Sequence, residues 1–493
     1  MTLARRLLLS ARGGGGFVPP TQPFVVSGAY PASFVPTETI LTQVHCHTNQ
    51  SDGSYTPATV VSNYLAAGYG ALVLTDHDKV TVQPSGIDIP ISGNELSGSL
   101  QHIIGTNTTY TRGAVTAAQT IVDGINAGGG QAHIAHPLWA TGMTYAEMDA
   151  LTGYRGLEIH NMHCISGSGQ NPITYPGYAI SRWDALLTGS RRDLWGFAVD
   201  DLHSFGAYRA HDVGRLQVFT DEQSVPGVMA SMALGCFVAD VSNYGVTPGY
   251  PVRTGADLSV SCPGATRIEA WGTGGTLLDS ADDDELSYDY VGGEHYVRLV
   301  AIGDYIEPFS TALSDRWMAV DGTWAVAAGV LALSSTDTTR RIILRRHRAG
   351  DFTAEVDMRP VGGGVDSTAL MFNVLDSNRY YMIRIGESGT PSFDQVLAIG
   401  KTTTNAFATP LDSAAFTITP GDWYTVKVAY TASTGRIRAK VYDQGGSEPD
   451  WMVDVNDTSW TFGAFGLRAT NDAEFDNLTI DGFQTFYQPV AID

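Results

Sequence analysis

His45 and His47 flank Cys46, and Asp52 and His77 follow closely, so three imidazoles and a carboxylate fall within one short stretch of chain. On a β-strand, residues i and i+2 share a face, so His45 and His47 can grip one ion while Cys46, a small buried residue, points the other way. Glu95, His102, His136, Asp201 and His203 extend the set, each at or just after the end of an expected strand. Asp201 and His203 repeat the i, i+2 spacing. Every member is an imidazole or a carboxylate, and such N/O ligation suits Zn²⁺, Mn²⁺ or Fe²⁺ rather than a thiolate site. His133, His160, His163 and His211 stand outside this pattern and read as core or surface residues.

These residues need a scaffold that brings strand ends together. From about residue 41 to 215, short apolar strands alternate with amphipathic helices. Thr56 and Pro57 open a helix expected over 57–67, in which Val60, Val61, Tyr64 and Leu65 recur at helical spacing. Val115, Ala118, Ile121, Val122 and Ile125 repeat that pattern before Gly128 to Gly130 end it. Strands are expected at 72–75, 132–135, 156–159 and 195–199, with a further helix near 178–187. Alternation of this kind is that of a β/α barrel, in which the C-terminal strand ends carry the active site. Beyond about residue 235 the helical period stops. Residues 236–307 read as a small β-module and 308–493 as a β-sandwich, with aromatic-rich strands such as 352–358, 380–385 and 423–429. Residues 1–40, with Gly13 to Gly16 and Pro19-Pro20, have the composition of an arm.

The ordered motifs H-C-H-T-x-x-S-D-G, T-D-H-D, G-N-E-L-S, H-I-I-G, A-H-P and D-L-H resemble the polymerase and histidinol phosphatase (PHP) superfamily over residues 41–215. The resemblance implies a distorted seven-stranded β/α barrel, within a domain ending near residue 235, and a site for two or three divalent ions. It implies that His45, His47, Glu95 and Asp201 hold one ion, and that Glu95 bridges to a second held by His102 and His136. Asp52, His77 and His203 would hold a third. Glu158, in G-L-E-I-H-N, also matches a family segment and is expected either to support the barrel mouth or to touch substrate. The implied activity is hydrolysis of phosphate esters by metal-bound hydroxide, with no nucleophilic side chain. The segment from Ser231 to Asp240 is similar to the carbaryl-hydrolase-type branch, which widens the substrates to esters, amides and carbamates. Lys79, Arg209 and His211 are candidate phosphate clamps.

Phe309, Leu313 to Trp317, Asp321 to Trp324, Gly421 to Tyr424 and Ala473 to Leu478 resemble concanavalin-like or laminin-G-like jelly rolls, which implies a carbohydrate-binding module or a spacer. Composition narrows the partners. The chain has 493 residues, with 29 Lys and Arg against 51 Asp and Glu, a net charge of −22, which argues against nucleic acid as a partner. Four cysteines are too few for a disulfide scaffold, although Cys236 and Cys262 are able to pair. No apolar stretch reaches the length of a bilayer span, and the run Leu7 to Leu9 is too short for a signal peptide. The expected partners are a phosphorylated or ester substrate, small or on a cell envelope, and a glycan. An arm of this composition suits docking to a virion or filament, so the expected location is extracellular or virion, with the cytoplasm as the alternative. In the competing reading the chain is a structural or adhesion component of a phage tail or surface filament, with the barrel as scaffold.

Overall fold

The computed structural model describes residues 26–492 apart from 98–101, 115–116, 140–141, 166–178, 190, 206–210, 242–244, 255–256, 311–312, 314–315, 335–338, 362–366, 387–394 and 404–409. The first unit comprises β1 (Val26–Gly28), β2 (Glu38–Gln43), α1 (Pro57–Ala66), β3 (Ala71–Val73), β4 (Ile89–Ile91), β5 (Gly93–Ser97) and β6 (His102–Thr106). It continues with α2 (Ala118–Ala127), β7 (Gln131–Ile134), α3 (Tyr145–Ala150), β8 (Gly156–Asn161), α4 (Met162–Ile165), α5 (Ile180–Thr188), β9 (Trp195–Val199), β10 (Gly214–Thr220), α6 (Val225–Ala233) and β11 (Phe237–Val241). The helices form where caps and apolar spacing agree. In α1, the Thr56 side chain accepts from Thr59 N, Pro57 opens the helix, and Val60, Val61 and Tyr64 are buried. In α2 the buried stripe is Ile121, Val122 and Ile125.

The named strands alone do not confirm the expected cylinder. They lie in two sheets, β4-β3-β2-β10-β11 and β5-β6-β7-β8-β9. On the site side the two sheets are joined by the parallel bridges Cys46 to Leu202 and His77 to Glu95, where His47 N donates to Leu202 O, Asp201 N to His45 O and Asp78 N to Glu95 O. Strand direction departs from the all-parallel order of a regular β/α barrel. β5 and β6 are too close in sequence for a helical crossover, so they pair antiparallel, as do β6 and β7, while β7-β8-β9 keep the parallel order of β/α units.

The sandwich packs two antiparallel sheets around a core that includes Leu344, Val356, Phe372, Tyr381, Val428, Phe465 and Phe475. One sheet is seven-stranded, in the order Trp317–Asp321, Thr339–Ala349, Phe462–Thr470, Ser367–Val374, Tyr380–Gly386, Val396–Thr402 and Asp412–Ala415. The facing sheet centres on Phe352–Pro360, which pairs with Tyr424–Thr431 and with Ala473–Tyr487. No helix among the described residues is long and apolar enough to cross a membrane.

The strand Ala473–Tyr487 ties the units together. It pairs with Val330–Ser334 and Phe352–Pro360 of the sandwich, then with Tyr296–Glu307 of the small module, and finally with β11. Val490–Ile492 then pairs with β1. The boundaries expected at 40, 235 and 307 are thus crossed by main-chain hydrogen bonds. The expected arm is folded from residue 26 onward. Tyr30 is buried and its hydroxyl donates to Phe237 O at 2.5 Å, and residues 1–25 lie outside the described residues. A buried ion pair adds a second tie, with Arg298 Nε and Nη2 each 2.8 Å from an oxygen of Asp184 in α5. All four cysteines are free thiols, so Cys236 and Cys262, whose pairing the sequence leaves open, are not joined. Cys236 Sγ lies 3.7 Å from Tyr250 Oη, and Cys262 Sγ lies 3.0 Å from Tyr487 Oη.

Gln488 provides the most specific of these contacts. Its buried amide donates to Gly196 O at 3.0 Å and accepts from Gly196 N at 2.7 Å, extending the ladder of β9 with a side chain. Gln488→Ala leaves both backbone groups of Gly196 without that partner. The expected cost is about 2–4 kcal/mol of stability, read as a lowered midpoint in thermal or urea unfolding. An unchanged midpoint would show that the amide contributes nothing to the tie.

Candidate metal centre

The nine ligand-type residues converge. His45 and His47 follow β2 and face one way, with their Nε2 atoms 3.1 Å apart, while Cys46 turns into a separate apolar cluster. Glu95 in β5 sits at the centre. Its Oε2 lies 3.1 Å from His47 Nε2, 3.3 Å from His77 Nδ1 and 3.4 Å from His45 Nε2. Its Oε1 lies 2.7 Å from His102 Nδ1 and 3.1 Å from His136 Nε2. Asp201 Oδ1 lies 3.1 Å from His45 Nε2 and 3.2 Å from His47 Nε2. Asp52 meets His47 Nδ1 at 3.3 Å, His77 Nε2 at 3.5 Å and His203 Nε2 at 3.2 Å. Three ligand groups result: His45, His47 and Asp201; His77, Glu95 and His102; and His47, Asp52, His77 and His203. His136 closes on the Glu95 carboxylate beside His102. His136 and Asp201 both have positive φ, 23° and 50°, a conformation non-glycine residues rarely hold unless their surroundings fix it.

Around this set lies a layer of groups that orient it. Glu158 Oε1 accepts from His45 Nδ1 at 2.7 Å, and its Oε2 accepts from His136 N at 2.7 Å and from Asn161 Nδ2 at 2.8 Å. That carboxylate fixes the His45 tautomer with Nε2 turned to the site. Asp76 draws in the loop after His47, accepting from Thr48 N and Oγ1 at 2.8 Å each and from Ser51 Oγ at 2.8 Å. Asp200 accepts from Asp212, Val213 and Gly214 main-chain N–H groups and from the Tyr64 hydroxyl, anchoring the far side of the loop that carries His203.

The electrostatics are those of buried opposite charges. Burial works against the charged His47 imidazole, but Asp201 and Glu95 outweigh it and push its pKa up to about 9. His45 is raised in the same way by Asp201, Glu158 and Glu95, against its own burial. Burial would raise Glu95 and Asp201, yet the surrounding imidazoles hold both well below the usual carboxylate range. Glu158 is held down to about 2, burial again being outweighed by His45 and His133. Asp201 Oδ1 is buried and accepts no well-formed hydrogen bond, although His45 Nε2, His47 Nε2 and His203 Nδ1 lie 3.1, 3.2 and 3.5 Å away. Imidazoles and carboxylates packed this closely fit divalent cations in place of the protons, and the N/O donor set fits Zn²⁺, Mn²⁺ or Fe²⁺.

A cavity of about 280 Å³ opens on this centre, lined by Asp52, His77, Glu95, His102, His136, Asp201 and His203, together with Trp139, His163 and Cys164. The last three fall outside the sequence expectation. His163 stacks on His203 with ring centroids 4.0 Å apart, and its place just after β8 was the available signal. Of the four candidate substrate residues, the three that are described do not line the cavity. Glu158 is buried behind His45, so its place is support rather than substrate contact. Lys79 is exposed and donates to Gln50 Oε1 at 2.8 Å. His211 packs edge-on against Phe205 and Tyr64, and Arg209 lies outside the described residues.

No protein-family model and no curated protein sequence matches the chain. Among solved structures, the chain is similar to a two-domain protein from Bacteroides vulgatus described as containing a predicted PHP-like metal-dependent phosphoesterase. That match has 14% identity, covers 56% of this chain and 92% of the other, and has a TM-score of 0.33. A carbohydrate-binding module, CBM66, from Bacillus subtilis matches at 22% identity over 34% of this chain and 98% of the module, with a TM-score of 0.29. Winged bean acidic lectin, solved with methyl-alpha-D-galactose, matches at 10% identity over 37% of this chain and 99% of the lectin, with a TM-score of 0.31.

Proposed function

We propose that this chain is a metal-dependent hydrolase acting on phosphate esters, carried beside a β-sandwich that binds a glycan. The observation that supports the first part is the convergence of nine imidazole and carboxylate side chains beside one cavity, with Glu95 in contact with five of the others. Divalent ions held there would supply Lewis acidity toward a phosphoryl oxygen and an activated water. The chain's own residues set the terms. Glu95 offers one oxygen to the His45 and His47 side and the other to His102 and His136, so it spans adjacent positions. Asp52 and His203 hold the outer wall, where a substrate oxygen enters.

The cavity lining also limits the choice of nucleophile. Among the described residues it contains no serine, threonine, lysine or arginine. Its one thiol, Cys164, is pushed well above the ordinary range by burial and by the charges of Asp201, Glu158 and Glu95, so it stays protonated and inert. With the lining carboxylates and imidazoles committed to holding ions, water is the attacking group in this reading, and the ions would neutralise the phosphoryl group. This combination suits phosphate esters, whose charge develops on oxygens that cations can meet.

The experiment is an assay of the full chain, loaded in turn with Mn²⁺, Zn²⁺ and Fe²⁺, against phosphate monoesters, diesters and carboxyl esters. Metal-dependent turnover of a phosphate ester that a chelator removes and metal restores is expected. Turnover of carboxyl esters alone would move the chain to ester hydrolysis. No turnover of any class with a fully loaded site would reject the enzyme reading.

A further inference from the structure

A second cleft, of about 490 Å³, lies where the sandwich meets the small β-module and shares no lining residue with the metal centre. Its size falls within the range of about 300–1,000 Å³ usual for small-molecule sites. A bulge opens it. Asp304 of Tyr296–Glu307 faces two residues, Asp481 and Gly482, of Ala473–Tyr487, because the register shifts between the pairs Gly303–Phe483 and Tyr305–Ile480. An extra residue bends its strand and re-aims the side chains beside it. Gly482, at φ 83°, takes the left-handed conformation that this bend requires.

The cleft is low on one side and polar around its rim. On the sandwich side Thr353 pairs with Ala429 and Ala429 with Arg438, so two small side chains lie in a row that ends in a guanidinium group. Their neighbours Phe352, Val428 and Ile437 point into the core, which turns the row outward. On the module side Ile302 adds an apolar patch and pairs with Arg267. The polar groups are held in place by the protein. Arg438 lies over the Trp451 ring, 4.8 Å from its centroid, and its side chain makes no hydrogen bond among the described residues. Arg267 Nε lies 2.8 Å from Glu269 Oε1 and its Nη1 3.2 Å from Asp282 Oδ1. Asp351 and Asp481 accept from Ala432 N at 2.9 Å and from Thr353 N at 2.6 Å. Asp304 Oδ1 takes two long contacts of 3.4 Å, from Thr266 Oγ1 and Gly482 N, and its Oδ2 takes none among the described residues.

We propose that this cleft binds a neutral saccharide, with ring hydroxyls donating to Asp304 and accepting from Arg438 while a C–H face rests on Ala429 and Ile302. The inference rests on the reading that the sandwich binds a glycan; it adds the place, the share taken by the small module and the charge of the ligand. A hydroxyl both donates and accepts, so it meets a rim on which carboxylates and guanidinium groups stand together. Four carboxylates against two guanidinium groups leave the lining acidic, which disfavours an anionic sugar. Side chains fixed in advance also lose less freedom when a ligand arrives.

The test is calorimetry of the full chain with neutral gluco-, galacto- and manno-oligosaccharides, with oligogalacturonate as the acidic sugar, and with calcium chloride alone. Binding of at least one neutral oligosaccharide is expected, little changed as salt rises. It should weaken about tenfold or more in the double variant Arg438→Ala, Asp304→Asn, which removes one charged partner from each side. It should stay unchanged in Arg379→Ala, whose side chain is held by Asp376 beside the seven-stranded sheet. If thermal melts show the double variant unfolded, Ala429→Phe provides the readout, because it fills the floor and removes no polar contact. Neutral oligosaccharides bound equally by wild type and the folded variant would overturn the inference and leave glycan binding standing elsewhere on the sandwich. Preference for oligogalacturonate over every neutral oligosaccharide would overturn it as well. Calcium bound while every oligosaccharide fails would replace it with a cation site, and failure of all the probes would remove the glycan reading and this inference together.

Discussion

Glu95→Gln is expected to cost about a thousandfold or more in turnover, beyond the ten- to hundredfold typical of groups that merely orient a ligand. Both carboxylate oxygens of Glu95 are engaged, one toward His45, His47 and His77 and the other toward His102 and His136. An amide offers one oxygen and turns an N–H₂ group on the remaining imidazoles, so one of the two sides loses its acceptor. Metal content, measured by elemental analysis on the same sample, should fall with activity while the melting curve stays cooperative. Asp201→Asn should behave alike, because its Oδ1 faces His45 and His47. Glu158→Gln is the informative comparison. It touches the site only through His45 and the His136 backbone, so it should weaken metal affinity while leaving measurable turnover at saturating metal. Wild-type turnover in Glu95→Gln at reduced metal content would reject the assignment.

Stripping the metal should reverse the sign of the protein's pH response. In the metal-free protein, His47 has a pKa near 9, above the ordinary histidine value of 6.5. A raised pKa contributes stability that is complete below about pH 6.5 and is lost as the pH climbs through about 9. For a buried group shifted this far the contribution is about 3 kcal/mol, and His45 and His102 shift in the same direction. Glu95 and Asp201 are lowered, so their share is present above the ordinary carboxylate range and disappears only in strong acid. The chelated protein should therefore melt highest between about pH 5 and 6.5 and lose stability toward pH 9. The Zn²⁺- or Mn²⁺-loaded protein should gain over that window, since ions compete with protons for the same imidazoles. Paired melting curves from pH 5.5 to 9.5 measure both. A chelated protein whose midpoint rises across that range would contradict the ion-pair account.

Much of this centre was legible in the residues themselves. The i, i+2 pairs His45/His47 and Asp201/His203 encode a shared face, and strand ends are where distant residues meet. What the sequence hid was strand direction. Apolar periodicity is the same for parallel and antiparallel strands, so the hairpin of β5 and β6 could not be separated from barrel strands. The two roles open to Glu158 were likewise undecidable, since a carboxylate at a strand end has the same signature facing substrate or backing a ligand. His163 lacked a paired residue at ligand spacing, so its place just after β8 was its one signal. The thiol of Cys262 sits against the hydroxyl of Tyr487, 225 residues further along, which no spacing rule reaches.

The strand Ala473–Tyr487 has a consequence for how the molecule is made. It leaves the ribosome after every other strand with which it pairs, yet it completes the edge of β11, and the segment behind it closes on β1 and on Gly196 of β9. The α/β unit, although translated first, cannot finish its sheet until the sandwich has been synthesised. Contacts of such long sequence separation make closure a late and slow event. Domain-by-domain maturation during translation is therefore blocked at its last step. A chain interrupted anywhere in the sandwich would carry all nine ligands on an unfinished scaffold, and the cell would meet an incomplete product before it met an active one.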